Sequence, residues 1–302
     1  MNDTKTILNY NKMDKITEAL SQYSKLSEAE TQAKVAAIIA EKLPLNRNKK
    51  AYETILSCVD HTSLNTTDSE ESIQEFVEKV NNFGEKYPEF PNVAAICVYP
   101  DMTKAVHDTL TESVEIAPAT GGFPHSHTFI EIKIAETSLA ILDGGTEIDV
   151  VFPIGKLLEA KYEECVEEIQ EIKAACQDVK LKVIMESGAL SMDNLQKAAI
   201  LSMESGADFI KTSTGKQQPG ATTTAAYYMC QLIKEYYEKS GRKVGFKAAG
   251  GIATTEDALQ YYCIVEAVLG QEWLNKDLMR FGASRLANNV LSDILGKKTV
   301  IF

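Results

Sequence analysis

The stretch ADFIKTSTGKQQPGATTTAAYYMCQLIKEYYEKSGRKVGFK, residues 207–247, holds one full turn of a repeating pattern that decides the fold. A short apolar run over 207–211 ends in a lysine, and a polar turn containing a glycine follows it. Thr222 then offers an N-cap to an amphipathic segment reaching 239, and Gly241 stands where a helix favours a left-handed cap. A second short run fills 243–247. Strand, turn, helix and strand in that order make a βα unit of a parallel sheet.

The unit recurs on both sides. Strands are predicted at 54–59, 93–99, 113–118, 146–152, 181–186, 207–211, 243–247 and 279–283. Helices are predicted at 69–83, 103–110, 128–143, 156–177, 191–205, 222–239, 255–269 and 284–295. Ser191, Thr222 and Thr254 or Thr255 serve as N-caps; Gly144, Gly145, Gly206 and Gly241 serve as helix ends. Eight repeats favour a closed (β/α)8 TIM barrel of the α/β class, although counting alone leaves an open doubly wound sheet standing. Ahead of them, Ile16, Leu20 and Tyr23, then Val35, Ile38, Ile39 and Leu43, have helical spacing. They predict two helices between 12 and 42 that end near Pro44, with the polar segment 46–50 leading into the first strand. The expected division is an N-terminal helical extension over 1–50 and a barrel over 51–302.

Composition narrows the function. With 44% hydrophobic and 25% charged residues the chain can bury a large core. Its 31 basic and 43 acidic side chains give a net charge of -12, which disfavours nucleic acid as a partner. A small phosphorylated ligand stays open, since backbone N–H groups and one or two lysines can hold a phosphate locally. The six cysteines form no C-x-x-C pair and read as reduced thiols. Residues 1–15 lack an apolar leader core, and no apolar run is long enough for a membrane span, so a cytoplasmic protein without membrane contact is expected.

In a barrel of this kind chemistry sits where strands end. Lys211 and Lys247 each close a predicted strand. Such a pair suits an amine nucleophile with a second cation beside it, because the neighbouring charge favours the unprotonated form that attacks a carbonyl. Two solvated surface lysines are the alternative. Strand alternation puts Glu147 and Asp149 on one face, pointing into the barrel, where a carboxylate needs a cationic partner or a proton-transfer role. A structural ion pair with a lysine satisfies the same constraint. Asp60 is comparable, or caps its loop. Three turns, 212–216, 249–252 and 282–285, follow the last three strands and carry the glycines and hydroxyls of an anion cradle. Lys216 follows its glycine too soon for a P-loop.

These segments resemble a known family. FIKTSTGK (209–216), GFKAAGG (245–251), EIDVVFP (147–153), VAAICVYP (93–100) and RFGAS (280–284) are similar to motifs of the 2-deoxyribose-5-phosphate aldolases, over about Leu56 to Leu295. The resemblance implies a metal-free class I aldolase, without a cofactor, that reversibly cleaves 2-deoxyribose 5-phosphate to acetaldehyde and D-glyceraldehyde 3-phosphate in deoxyribonucleotide catabolism. It implies Lys211 as the Schiff-base lysine, Lys247 as its perturbing cation and Asp149 as a proton relay. Lys216, Gly215, Gly250, Gly251 and Ser284 would hold the phosphate, with Asp60 and Thr62 near the substrate hydroxyls and Cys97, Thr214, Gly282 and Arg285 also counted among the substrate-binding residues. The pattern departs at Ala248, where the family usually has proline, and at Arg285, where a second serine often follows. Arg285 motivates an alternative, a Schiff-base aldolase with a different aldehyde acceptor. The end at Val300-Ile301-Phe302 lacks the tyrosine that some members carry.

Other features are assigned no catalytic role. His125 and His127 lack a third metal ligand at a recognisable spacing. Cys97, near the mouth, is either an aldehyde-reactive thiol or a packed one. The run from Glu163 to Glu171 reads as a solvated helix face, and the pairs Tyr227-Tyr228 and Tyr236-Tyr237 as cover for a helix seam. A non-catalytic barrel that binds a sugar phosphate, or a partner through its first helices, is the contrasting possibility. A homodimer is compatible with the sequence.

Overall fold

A computed structural model describes residues 16–302. Its strands are β1 (Val59–Thr62), β2 (Ala95–Cys97), β3 (Glu115–Ile116), β4 (Ala119–Thr120), β5 (Glu147–Val151), β6 (Lys180–Ile184), β7 (Phe209–Lys211), β8 (Gly245–Ala249) and β9 (Met279–Ala283). All pair in parallel, in the order β3-β2-β1-β9-β8-β7-β6-β5-β4. The two edges of that sheet are consecutive in the chain, separated only by Ala117 and Pro118. On one side of this segment the amides of Ala117 and Ala119 donate to Ile96 and Val98 (2.8 and 2.9 Å). On the other, Asp149 N–H donates to Pro118 C=O at 3.0 Å. Residues 115–120 are therefore one stave bonded on both sides, and the sheet closes into a (β/α)8 barrel.

The helices are α1 (Glu28–Asn46), α2 (Lys49–Ser57), α3 (Glu70–Lys86), α4 (Thr103–Thr109), α5 (Ile130–Leu142), α6 (Ile154–Leu158), α7 (Tyr162–Cys176), α8 (Met192–Glu204), α9 (Thr223–Ser240), α10 (Thr255–Leu269) and α11 (Leu286–Leu295). Ser191, Thr222 and Thr254 cap α8, α9 and α10 through their hydroxyls, which accept the amide three residues on. α1 lies across α9 and α10, and a helical stretch over 16–21 precedes it. Ile16, Tyr23 and Val35 join the same buried cluster as the barrel helices.

Several boundaries depart from the sequence reading. Residues 54–57 of the first expected strand belong to α2, and β1 begins only at Val59. The run TILSCV is short and apolar enough to fit either structure. Asn48 decides the matter by accepting Ala51 N–H as an N-cap, so 46–50 joins two helices instead of leading into a strand. α1 runs through Pro44 to Asn46. The helix expected over 156–177 is broken at Ala160, whose φ of 57° is left-handed, and α6 starts before it. Lys247 lies in the middle of β8, because Ala248 and Ala249 continue the ladder to Phe281 and Gly282. Part of the first expected helix, residues 12–15, lies outside the described residues.

The register sets the site. Lys211 is level with Lys247, Asp149 with Lys182, and Lys247 with Arg280. Gly245 stands opposite Phe209, and a Cβ there would come within 2.5 Å of three carbons of that ring. Phe209 is buried and cannot easily retreat. Gly245→Ala is expected to destabilise the fold by roughly 1–3 kcal/mol. Urea unfolding would measure it; an unchanged midpoint would mean that the ring yields.

Candidate active site

Inward positions of a barrel are usually filled by branched apolar side chains. Here seven charged ones converge. Asp149, the third residue of β5, accepts from two lysines through a single oxygen: its Oδ2 lies 2.7 Å from Lys211 Nζ and 2.7 Å from Lys247 Nζ. The two amine nitrogens are therefore no further apart than twice that distance. Its Oδ1 accepts from Lys182 Nζ at 3.1 Å. Lys247 also donates to Asp60 Oδ2, and Asp60 Oδ1 accepts from Arg280 Nη1 at 2.6 Å. Arg280 grips Glu147 with both terminal nitrogens (3.0 and 2.7 Å), and Lys182 reaches Glu147 at 2.6 Å. The network comprises three carboxylates and four cationic side chains, all buried.

Burial alone would push these carboxyls up and these amines down. Their neighbours reverse it. Against that burial, Lys182, Lys211 and Lys247 hold Asp149 well below the usual carboxylate range, and Lys247, Arg280 and Lys182 do the same for Asp60. For Lys247 burial opposes the charge, yet Asp149 and Asp60 keep it above the usual ammonium range; Asp149 and Glu147 do so for Lys182.

Above the network lies a cavity of about 240 Å³, walled by Thr62, Lys211, Thr214, Gly215, Lys216, Gly250, Gly251, Gly282, Ser284 and Arg285 among others. Of the seven network members only Lys211 reaches this wall. Gly215, Gly250 and Gly251 have φ of 79°, 91° and 85°, values that strain any L side chain. Gly250 also lies against Gly220, where a Cβ would meet its carbonyl oxygen at 2.5 Å. The Lys216 ammonium donates to Leu64 C=O across the mouth. Ser284 and Arg285 are exposed on the rim.

Thus Lys211, Lys247 and Asp149 come together, as do the three turns. Asp60 is part of the buried network and does not line the cavity; Thr62 does. Cys97 packs among Leu64, Ala95, Ala117 and Ala119, and burial pushes its thiol up. His125 and His127 are exposed and line a separate hollow with Lys133. Within the acidic run of α7, Glu168 is not solvated: it is buried, held by Lys133 at 2.5 Å and Lys156 at 3.0 Å. Tyr228 and Tyr236 are buried on α9 and donate to Gln196 Oε1 and Met203 C=O. Phe302 packs edge-on to His61 (5.4 Å) and tilted against Phe83 (4.8 Å). Sequence reasoning missed Lys182, Arg280 and Glu186. The first two stand in LKVI (181–184) and MRFGA (279–283) as charges between apolar strand residues, the signal that exposed Asp149.

Because Asp60 and Asp149 titrate lower folded than unfolded, the unfolded chain binds more protons in acid. Their contribution to stability is complete above the unfolded value of about 3.9 and is lost as pH falls through their folded values. Lys182 and Lys247 contribute fully below about 10.4, and that contribution is lost as pH rises through their raised folded values. A stability plateau between about pH 5 and pH 10 is expected. Urea midpoints at stepped pH would test it, and a midpoint that rises on acidification below about pH 4 would contradict the network's role.

The profile of the DeoC/LacD family aldolases matches residues 12–271. Human deoxyribose-phosphate aldolase is 36% identical over 250 residues, covering 77% of each chain. The mouse enzyme of that name is 41% identical over 202 residues, 65% of this chain and 63% of its own. The solved deoxyribose phosphate aldolase of Aeropyrum pernix, described as a tetramer, has a TM-score of 0.65 at 25% identity, covering 84% of this chain and 96% of that one. With a family profile matched over most of its length and a closed barrel that brings two lysines onto one carboxylate, the chain belongs to the DeoC/LacD family of aldolases.

Proposed function

We propose that this protein is a class I aldolase that reversibly cleaves 2-deoxy-D-ribose 5-phosphate to acetaldehyde and D-glyceraldehyde 3-phosphate through a Schiff base on Lys211. The observation that carries the reading is the shared Asp149 oxygen, 2.7 Å from both Lys211 and Lys247, beneath a cavity that only Lys211 of the network reaches. Four cations on three buried carboxylates leave one positive charge unmatched, and a buried unpaired charge is costly. Lys211 is the member with a single carboxylate partner, whereas Lys182, Lys247 and Arg280 each hold at least two. It is the amine that can serve as the free nucleophile.

The steps follow from that placement. The Lys211 amine adds to the C1 aldehyde of the open sugar, and loss of water leaves an iminium. The C3 hydroxyl gives up its proton, the C2–C3 pair flows into the iminium, and the products are glyceraldehyde 3-phosphate and an enamine of acetaldehyde. Protonation of the enamine at C2 and hydrolysis release acetaldehyde and restore the amine. Asp149 Oδ2, in contact with both amines, can pass protons between them, while Lys247 keeps a positive charge beside Lys211. Gly215, Gly250, Gly251 and Lys216 suit the phosphate, with Arg285 on the rim as a further cation.

Acetaldehyde with borohydride is expected to add a reduced two-carbon unit to Lys211, found by peptide mapping and absent from Lys211→Leu. A label that persists in the variant would sink the assignment. Catalytic efficiency on deoxyribose 5-phosphate should exceed that on unphosphorylated deoxyribose by about a hundredfold or more, the worth of two charge-assisted hydrogen bonds. Equal efficiencies would remove the anion cradle from the account.

A further inference from the structure

Glu186 follows β6 at the C-terminal rim of the barrel with φ 48° and ψ 56°. That left-handed backbone suits glycine, and a glutamate adopts it only under strain. Among the described residues, the other non-glycine positions of positive φ are Ser126, Ala160 and Gln177. Glu186 alone of these combines burial with an acidic side chain that enters the neighbouring loop. Its Oε2 accepts from Thr214 Oγ1 at 2.5 Å and its Oε1 from Thr214 N–H at 3.2 Å. Thr214 Oγ1 in turn accepts Lys216 N–H at 3.1 Å. The same two segments meet again at Gly188, where a Cβ would clash with Pro219 C=O at 2.1 Å. Strain at a rim position, maintained by contacts to a loop on the next strand, is the pattern of a residue whose side chain is needed there.

We infer that Glu186 is a positioning residue that clamps the 212–216 loop so that Gly215 and Lys216 face the substrate's phosphate. This rests on the aldolase reading above. Glu186 touches no reacting atom: it acts through Thr214, so it governs the anion end of the substrate and leaves the Lys211 chemistry to the network below. A carboxylate beside an anion site would repel the ligand if it were free. Both of its oxygens are engaged by Thr214, which turns the repulsive group into a fixed acceptor.

Glu186→Gly separates a functional clamp from a merely structural contact, because glycine relieves the backbone strain while removing the carboxylate. The expected result is a thermal midpoint near that of the parent, a KM for deoxyribose 5-phosphate raised about tenfold or more, and a kcat changed by less than about threefold. Efficiency on unphosphorylated deoxyribose should hardly move. Glu186→Gln, which keeps an acceptor oxygen, should recover part of the loss. Equal losses on both substrates, or an unchanged KM, would overturn the clamp. Titration with inorganic phosphate keeps the two readings apart. Parent protein that binds phosphate without forming the acetaldehyde adduct, alongside a glycine variant that binds it more weakly, upholds the clamp and sinks the Schiff-base chemistry. A glycine variant that binds phosphate as well as the parent sinks the clamp, whatever the adduct does.

Discussion

The single oxygen of Asp149 that meets both Lys211 and Lys247 organises the interior of this barrel. Two lysine side chains so close in a dry interior cannot both carry an unmatched charge, and the carboxylate between them makes the arrangement stable. That carboxylate needs its second oxygen fixed, which Lys182 does. Lys182 then brings in Glu147, Glu147 brings in Arg280, and Arg280 brings in Asp60, which returns to Lys247. Each charge is present because its neighbour would be intolerable without it.

Barrel closure is what makes such a ring possible. The members come from β1, β5, β6, β7, β8 and β9, and no open sheet would turn those strands toward a common axis. Closure passes through Pro118, which lacks an N–H yet offers its carbonyl to Asp149 N–H at 3.0 Å. The stave that completes the barrel thereby fixes the backbone of the residue at the centre of the ring. Around it, α1 lies across α9 and α10, the helices that follow two of the cavity-lining turns.

Much of this was legible from the chain. The βα rhythm, the caps at Ser191, Thr222 and Thr254, and the inward face of Glu147 and Asp149 all follow from local rules that tertiary context did not override. The first strand was not legible, because Ile55 and Leu56 suit a buried helix as well as a strand and the deciding cap is a hydrogen bond that the Asn48 side chain accepts from Ala51 N–H. Lys182 and Arg280 carried a visible signal, a charge between apolar strand neighbours, but pairing them with particular carboxylates requires strand register. Glu186 carried none, since its importance lies in a backbone angle and a contact to another loop.

The Lys216 ammonium, bonded to the Leu64 carbonyl, ties the turn after β7 to the loop after β1 across the mouth of the cavity. A group that takes that ammonium must first displace a carbonyl already in place, so its net affinity would be a difference between two partners and not the strength of one. The same exchange would part the loop after β1 from the turn after β7, two walls of one cavity that this contact otherwise holds together.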